Sequence, residues 1–411
     1  MNRATVVMAQ KWVSMRFTLF SAARRSVQRP LTSAVLSATL LLVSSCRAEQ
    51  PWPLWEKYSA RYLDDQGRVI DHTSSDRSTT EGEAYAMFFA LVTNDRPRFE
   101  KLLNWTESNL AQGDLTLHLP AWSWGQAANK SWGVLDSNSA ADADLWMAYS
   151  LCEAGRLWHV DRYSKLGTVL AARIAQQEVV SVPSVGTVLL PGSQGFHPSP
   201  TTWYVNPSYL PPFLLEYFAH ANPQSPWGAV LASLPAAVES RGGFAMDWMA
   251  VKADAGLQPS PPPGVAAALK EGETAPTPMG SFDAIRVYLW TGMADPRTPH
   301  VGEALRKLPA MAAYLSKNLA PPLQVGPAGQ VLNADGTAGF SAAVIPYLHA
   351  LGDKAEEKTQ VDRLGAMLDP NTGMYGHDGM YYDQNLALFE EGWTSGRFSF
   401  DAEGRLRLKW K

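Results

Sequence analysis

Three stretches set acidic side chains at the starts of apolar runs with helical spacing: "TTEGEAYAMFFALV" from Thr79, "LDSNSAADADLWMAYSLCEAGRLW" from Leu135 and "GSFDAIRVYLWTGM" from Gly280. In the first, Thr80 reads as the N-cap and Glu83, three residues on, as the other half of a capping box. Glu81 is left without a structural task, since a carboxylate in a first helical turn gains only about 0.3–1 kcal/mol from the helix dipole. In the second, Ser139 reads as the cap, and Asp142 with Asp144 brings more negative charge than capping requires. In the third, Ser281 caps, Asp283 follows, and Arg286 stands three residues later within ion-pair reach. Each stretch alone is also consistent with a solvated helix start or a structural ion pair.

Together they point to a reaction. Helices packed as antiparallel hairpins bring alternate N-termini to one end, so acids at three starts can share one mouth. Cleavage of a glycosidic bond needs two such groups: a protonated carboxyl for the leaving oxygen, and an ionised one to activate water or attack carbon. A helix N-terminus favours the ionised form. The acid member must therefore be raised by burial or by a negative neighbour, and Asp142 is the expected neighbour of Glu81.

The elements that must carry these residues are mostly helical. Three- and four-residue apolar spacing predicts helices near 81–93, 96–111, 140–158, 160–176, 207–221, 226–239, 281–293, 300–317, 339–350, 353–367 and 379–394, with a shorter candidate near 243–251. Short connections favour antiparallel neighbours. Hairpins are predicted in "YSARYLDDQGRVIDH", in "EVVSVPSVGTVLLPG" and in the terminal "RFSFDAEGRLRLKW". The proline-rich segment at about 257–280 reads as a surface loop. No residue-level repeat is present, which excludes a tetratricopeptide-type solenoid but not a helical toroid.

Composition narrows the class. In 411 residues, 46% are hydrophobic and 18% charged, with a net charge of -4 and no basic block, so nucleic acid is excluded as a partner. No Cys/His cluster has metal spacing and no glycine-rich loop follows a strand, so neither metal nor cofactor is expected. Residues 1–48 read as an export signal: Arg24, Arg25 and Arg29 precede the uncharged run from Leu31, which is too short for a membrane span. Cleavage after Ala48 competes with lipoprotein processing before Cys46, which would attach a lipid anchor there. Residues 49–411 then form a single domain outside the cytoplasm, in the periplasm, or held at the outer membrane or secreted. Cys152 is left without a disulfide partner.

The stretches "EGEAYAMFFALVTNDRPRFEKLLNWT", "NLAQGDLTLHLPAWSWG", "VLDSNSAADADLWMAYSLCEAGRLW", "NPSYLPPFLLEYF" and "SFDAIRVYLW" resemble glycoside hydrolase family 8, and within it the periplasmic members of bacterial cellulose synthesis. The likeness spans about Trp55 to Trp410. It departs at Ala141, at Cys152 and in the proline-rich segment. What it implies is an all-α (α/α)6 toroid with small β-hairpin insertions, and an endo-β-1,4-glucanase that hydrolyses cellulose with inversion. The cellulose synthase complex is the implied partner. By motif, Glu81 matches the proton donor, Asp283 the base, and Asp142 the aspartate that holds the distorted sugar. Xylan, chitosan or a non-cutting glucan-binding subunit are the alternatives.

Aromatic side chains suit sugar faces. Tyr85, Trp124 and Tyr209 are the first candidates for substrate contact, followed by Trp122, Trp132, Trp203 and Tyr204. Arg286 is expected to orient Asp283 or bind sugar hydroxyls. Asp144 is expected to bind sugar or support Asp142.

Overall fold

Helix α2 (Thr80–Val92) is apolar on nearly every side, and Glu81 alone among its residues escapes burial. A helix without a polar face must lie inside a second layer. Helices α4 (Ala141–Trp158), α6 (Pro212–Ala221), α9 (Ala284–Met293), α12 (Ala338–Leu351) and α14 (Tyr381–Thr394) are likewise largely buried. Outer helices cover them, polar in α3 (Arg96–Asn109), α5 (Asp161–Glu178) and α13 (Lys354–Ala366) and short in α7 (Trp227–Ala232) with α8 (Leu234–Val238) and α10 (Val301–Arg306) with α11 (Pro309–Leu315); α1 (Pro53–Tyr62) packs on α14. The result is an (α/α)6 toroid. The computed structural model describes residues 51–183, 185–252, 256–264 and 276–411. The export signal with Cys46, and residues 265–275 of the proline-rich segment, lie outside the described residues.

The inner ring is filled by aromatic rings from five helices. Phe389 of α14 lies 5.0 Å from the rings of Tyr85, Trp146 and Trp290, and Trp146 lies 5.6 Å from Phe213. Phe389 also closes the ring onto Phe89 of α2 at 4.8 Å. Each such pair adds about 0.5–1.5 kcal/mol beyond its buried area, so this plug fixes the inner helices against one another.

The strands are short and decorate the helix ends. β1 (Ser78–Thr79) pairs with β2 (Ser123–Gln126), which pairs with β3 (Trp132–Asp136). The hairpins β4 (Val179–Val182) with β5 (Gly186–Leu189), and Phe398–Phe400 with Leu406–Leu408, fall where the sequence predicts them.

Several elements differ from expectation. The candidate helix near 243–251 instead yields β7 (Met249–Lys252), the middle strand between β6 (Thr202–Val205) and β8 (Gly256–Pro259). The proline-rich segment therefore begins as strand, not loop. Pro235 and Pro309 lack an N–H and begin new helices, so the expected helices 226–239 and 300–317 are each broken in two. "YSARY" completes α1 instead of forming a hairpin arm; only an isolated bridge from Leu63 to Val69 spans the turn that follows. No helix among the described residues is long and apolar enough to cross a membrane.

Candidate active site

The N-terminal ends of α2, α4 and α9 meet at one mouth. Glu81 is the second residue of α2, Asp142 the second of α4, and Asp283 stands immediately before α9. Between them lies Arg286, whose side chain is only 2% exposed. Its Nη1 donates to Glu81 Oε2, to Asp142 Oδ2 at 3.0 Å and to the Tyr85 hydroxyl at 3.2 Å. Its Nη2 donates to Asp283 Oδ1 at 2.8 Å and to Ser208 Oγ at 3.1 Å. A planar guanidinium can hold carboxylates on separate nitrogens, where an ammonium offers one point of charge. Glu81 and Asp283 are thus bridged by one guanidinium, each on a different terminal nitrogen.

These acids line an open pocket of about 240 Å³ together with Arg77, Thr79, Thr80, Trp122, Ala140, Tyr209 and Arg286. Glu81 and Asp283 reach solvent, at 27% and 31% side-chain exposure, whereas Asp142 is at 3%. Burial pushes the Asp142 carboxyl up to about 7; Arg286 opposes the rise and Glu81 adds to it.

Local sequence explains part of this placement. Thr79, held in β1 against Ser123, is the N-cap of α2, and its hydroxyl accepts from the Gly82 N–H at 3.2 Å. Thr80 is inside the helix. Glu83 does not close a capping box; it is buried and accepts the Val69 N–H at 2.7 Å, tying the preceding turn to α2. Gly82 is required because a Cβ there would lie 2.0 Å from the Tyr381 hydroxyl. Ser139 does not cap α4 but donates to Glu178 Oε1 at 2.5 Å. Ser281 does not cap α9 either: its hydroxyl donates to Leu323 O at 2.8 Å, and the cap is Asp247, whose Oδ1 accepts the N–H groups of Ser281 and Ala284.

The expected substrate contacts divide. Tyr209 lines the pocket, 5.7 Å from the Arg286 guanidinium. Tyr85 is 1% exposed and lies beneath Arg286, so it supports the guanidinium and presents no face to a sugar. Asp144 is fully buried and contacts no solvent, which removes it as a sugar ligand. Trp124 is outside the pocket lining, stacked on Trp132 at 5.4 Å with Arg68 over its ring; Trp122 takes the place at the pocket. Sequence reasoning missed Ser208, which Asn206 fixes by accepting both its N–H and its hydroxyl. "NPSY" is the signal that could have found it, an Asx turn beside Tyr209. Among the described residues no group of three or more His, Cys, Asp or Glu is arranged to hold a metal ion.

Residues 29–396 match "Glycosyl hydrolases family 8". The chain belongs to this family. It is 42% identical over 374 residues to an endoglucanase of Salmonella typhi, covering 90% of this chain and 94% of that one. It is 40% identical over 383 residues to an endoglucanase of Escherichia coli (strain K12), covering 92% and 97%. Among solved structures, an endo-1,4-D-glucanase from Vibrio fischeri ES114 superimposes with a TM-score of 0.75 at 36% identity, covering 88% of this chain and 99% of that one. The family 8 chain is thus a glycoside hydrolase, and its open pocket with two solvent-reaching carboxylates is the place where such chemistry can occur.

Proposed function

We propose that this family 8 hydrolase is an endo-β-1,4-glucanase that cuts cellulose with inversion at the anomeric carbon. The observation that carries the reading is Arg286 in contact with Glu81, Asp142 and Asp283 at one open pocket. Glu81 donates the proton to the leaving oxygen. Asp283 takes a proton from the attacking water. Asp142, held low in the pocket, binds the sugar whose ring distorts toward the transition state. Tyr209 and Trp122 offer apolar faces to adjoining sugars. The similarity to endoglucanases over nearly the full length supports β-1,4-glucan as the substrate.

Glu81→Gln should abolish release of reducing ends from carboxymethylcellulose while leaving the fold and glucan binding intact; undiminished release would end the assignment of Glu81. NMR of freshly released product should show the inverted anomer, and retention would contradict the roles of both acids. A panel containing xylan and chitosan tests the substrate class.

Action in the periplasm during cellulose synthesis and export, in contact with the cellulose synthase complex, is part of the same proposal and rests on the N-terminal segment and the family resemblance. Mass spectrometry of the mature N-terminus should show cleavage after Ala48 or a lipid on Cys46. An unprocessed N-terminus would argue against export.

A further inference from the structure

The turn that carries Asp283 is tied down by a residue that no local pattern assigns to it. Asp247 Oδ1 accepts the N–H of Ser281 at 2.7 Å and of Ala284 at 2.8 Å, one on each side of the Phe282–Asp283 pair. Its own N–H donates to Met279 O at 2.9 Å. The chain before the turn is pinned as well: Gly280 forms an isolated bridge with Val325, and a Cβ on Gly280 would lie 2.1 Å from Ala245 O. On the far side, the Tyr382 hydroxyl of α14 donates to Phe282 O. The Asp283 side chain is then steadied by Arg286 Nη2.

We infer that Asp247 is a positioning residue for the hydrolytic reaction, clamping the 281–284 turn so that the Asp283 carboxylate stays at the distance from which it can take a proton from water. The inference rests on the reading of Asp283 as the base. An N-cap normally comes from the residue just before its helix; α9 takes its cap from a side chain 37 residues before Ala284 in the chain, on the segment that leads into β7. This placement joins the base to the segment leading into β7 instead of to α9 alone. Burial, then the negative charge of Asp283, pushes Asp247 up to about 7, and the two accepted N–H groups pull it down. Around Asp247 and Asp283 the charged and titratable groups are Arg286, Glu81, Asp142, Tyr209 and Tyr382.

The test uses the full chain and the variants Asp247→Ala and Asp247→Asn, since an asparagine Oδ1 can still accept both N–H groups. Misplacement of a reacting group by about 1 Å costs on the order of 100-fold, so Asp247→Ala should lower kcat on carboxymethylcellulose by about 10- to 100-fold with KM changed by less than about 2-fold. Asp247→Asn should recover kcat to within about 3-fold of the parent. Hydrogen exchange of the segment around 279–285 should accelerate in Asp247→Ala, by about 10-fold or more, and not in Asp247→Asn, while segments remote from the pocket keep their protection. The clamp is refuted if exchange and kcat of Asp247→Ala match the parent, or if Asp247→Asn falls as far as Asp247→Ala. A parent chain that released no reducing ends would sink the glucanase reading, and the exchange measurement would still decide the clamp.

Discussion

One guanidinium faces three carboxylates at the pocket, so full ionisation would leave a surplus of negative charge around a nearly buried cation. The geometry of that cation matters as much as its charge. Lysine has a single ammonium and cannot serve Glu81 and Asp142 on one side and Asp283 and Ser208 on the other, so Arg286→Lys should lower kcat by about 100-fold or more. Arg286→Met should also destabilise the fold, by about 3–5 kcal/mol at pH 8, because Asp142 loses the cation that opposes its rise and must take up a proton that the unfolded chain does not hold at that pH. At pH 5 the loss should be smaller, since Asp142 is then protonated with or without the cation, and urea denaturation at the two pH values measures the difference. The three acids were legible in the sequence because each exceeds what a helix start needs. The roles of Tyr85 and Trp124 were not. Tyr85 lies one turn after Glu81, where α2 has already entered the aromatic plug, and the β-bulge between Ser123 and Trp124 changes which ring reaches the pocket.

At the scale of elements, the inner helices were legible as apolar runs longer than a buried strand, since a helix that is apolar around its circumference leaves little 3.6-residue contrast. Helix ends were harder. The caps come from Thr79 one residue earlier than expected, and from Asp247 across the fold, and a distant cap leaves no local spacing to read. Close helix approach is also invisible in the sequence until the partner is known. Gly292 of α9 meets α12 where Pro346 interrupts that helix: a Cβ on Gly292 would lie 2.2 Å from Tyr347 N and 2.3 Å from the Pro346 carbonyl carbon. Both are backbone atoms, so no side chain can rotate away. Gly292→Ala should therefore destabilise the protein by about 1–3 kcal/mol in spite of the better helix propensity of alanine. Because α9 carries Arg286, activity per folded molecule should drop as well. Chemical denaturation with single-temperature kinetics tests both effects, and a stabilised variant would show that the two helices can part without cost.

Across the whole molecule, several acids are buried with too little cation to match them; Asp142 shares Arg286 with Glu81 and Asp283. Burial pushes Glu178 up to about 8, and Asp142, Asp247 and Glu390 up to about 7. Glu83 and Asp144 are raised well above the usual carboxylate range, again chiefly by burial. Unfolded Asp and Glu titrate at about 3.9 and 4.3, so the folded state holds these protons more tightly than the unfolded chain does. A folded pKa above the unfolded one gives stability that is complete below about pH 4 and is lost as pH rises through about 7 to 8. Thermal unfolding should therefore show the melting temperature falling between pH 5 and pH 9. Glu178→Gln isolates one contributor: glutamine can still accept from the Ser139 hydroxyl but has no proton to lose, so the variant should lose less stability than the parent between pH 6 and pH 9. A melting temperature that climbs toward pH 9 would mean that these carboxylates are ionised and solvated inside the toroid. The close-packed interior around Glu178 and Asp144 would then have to admit water.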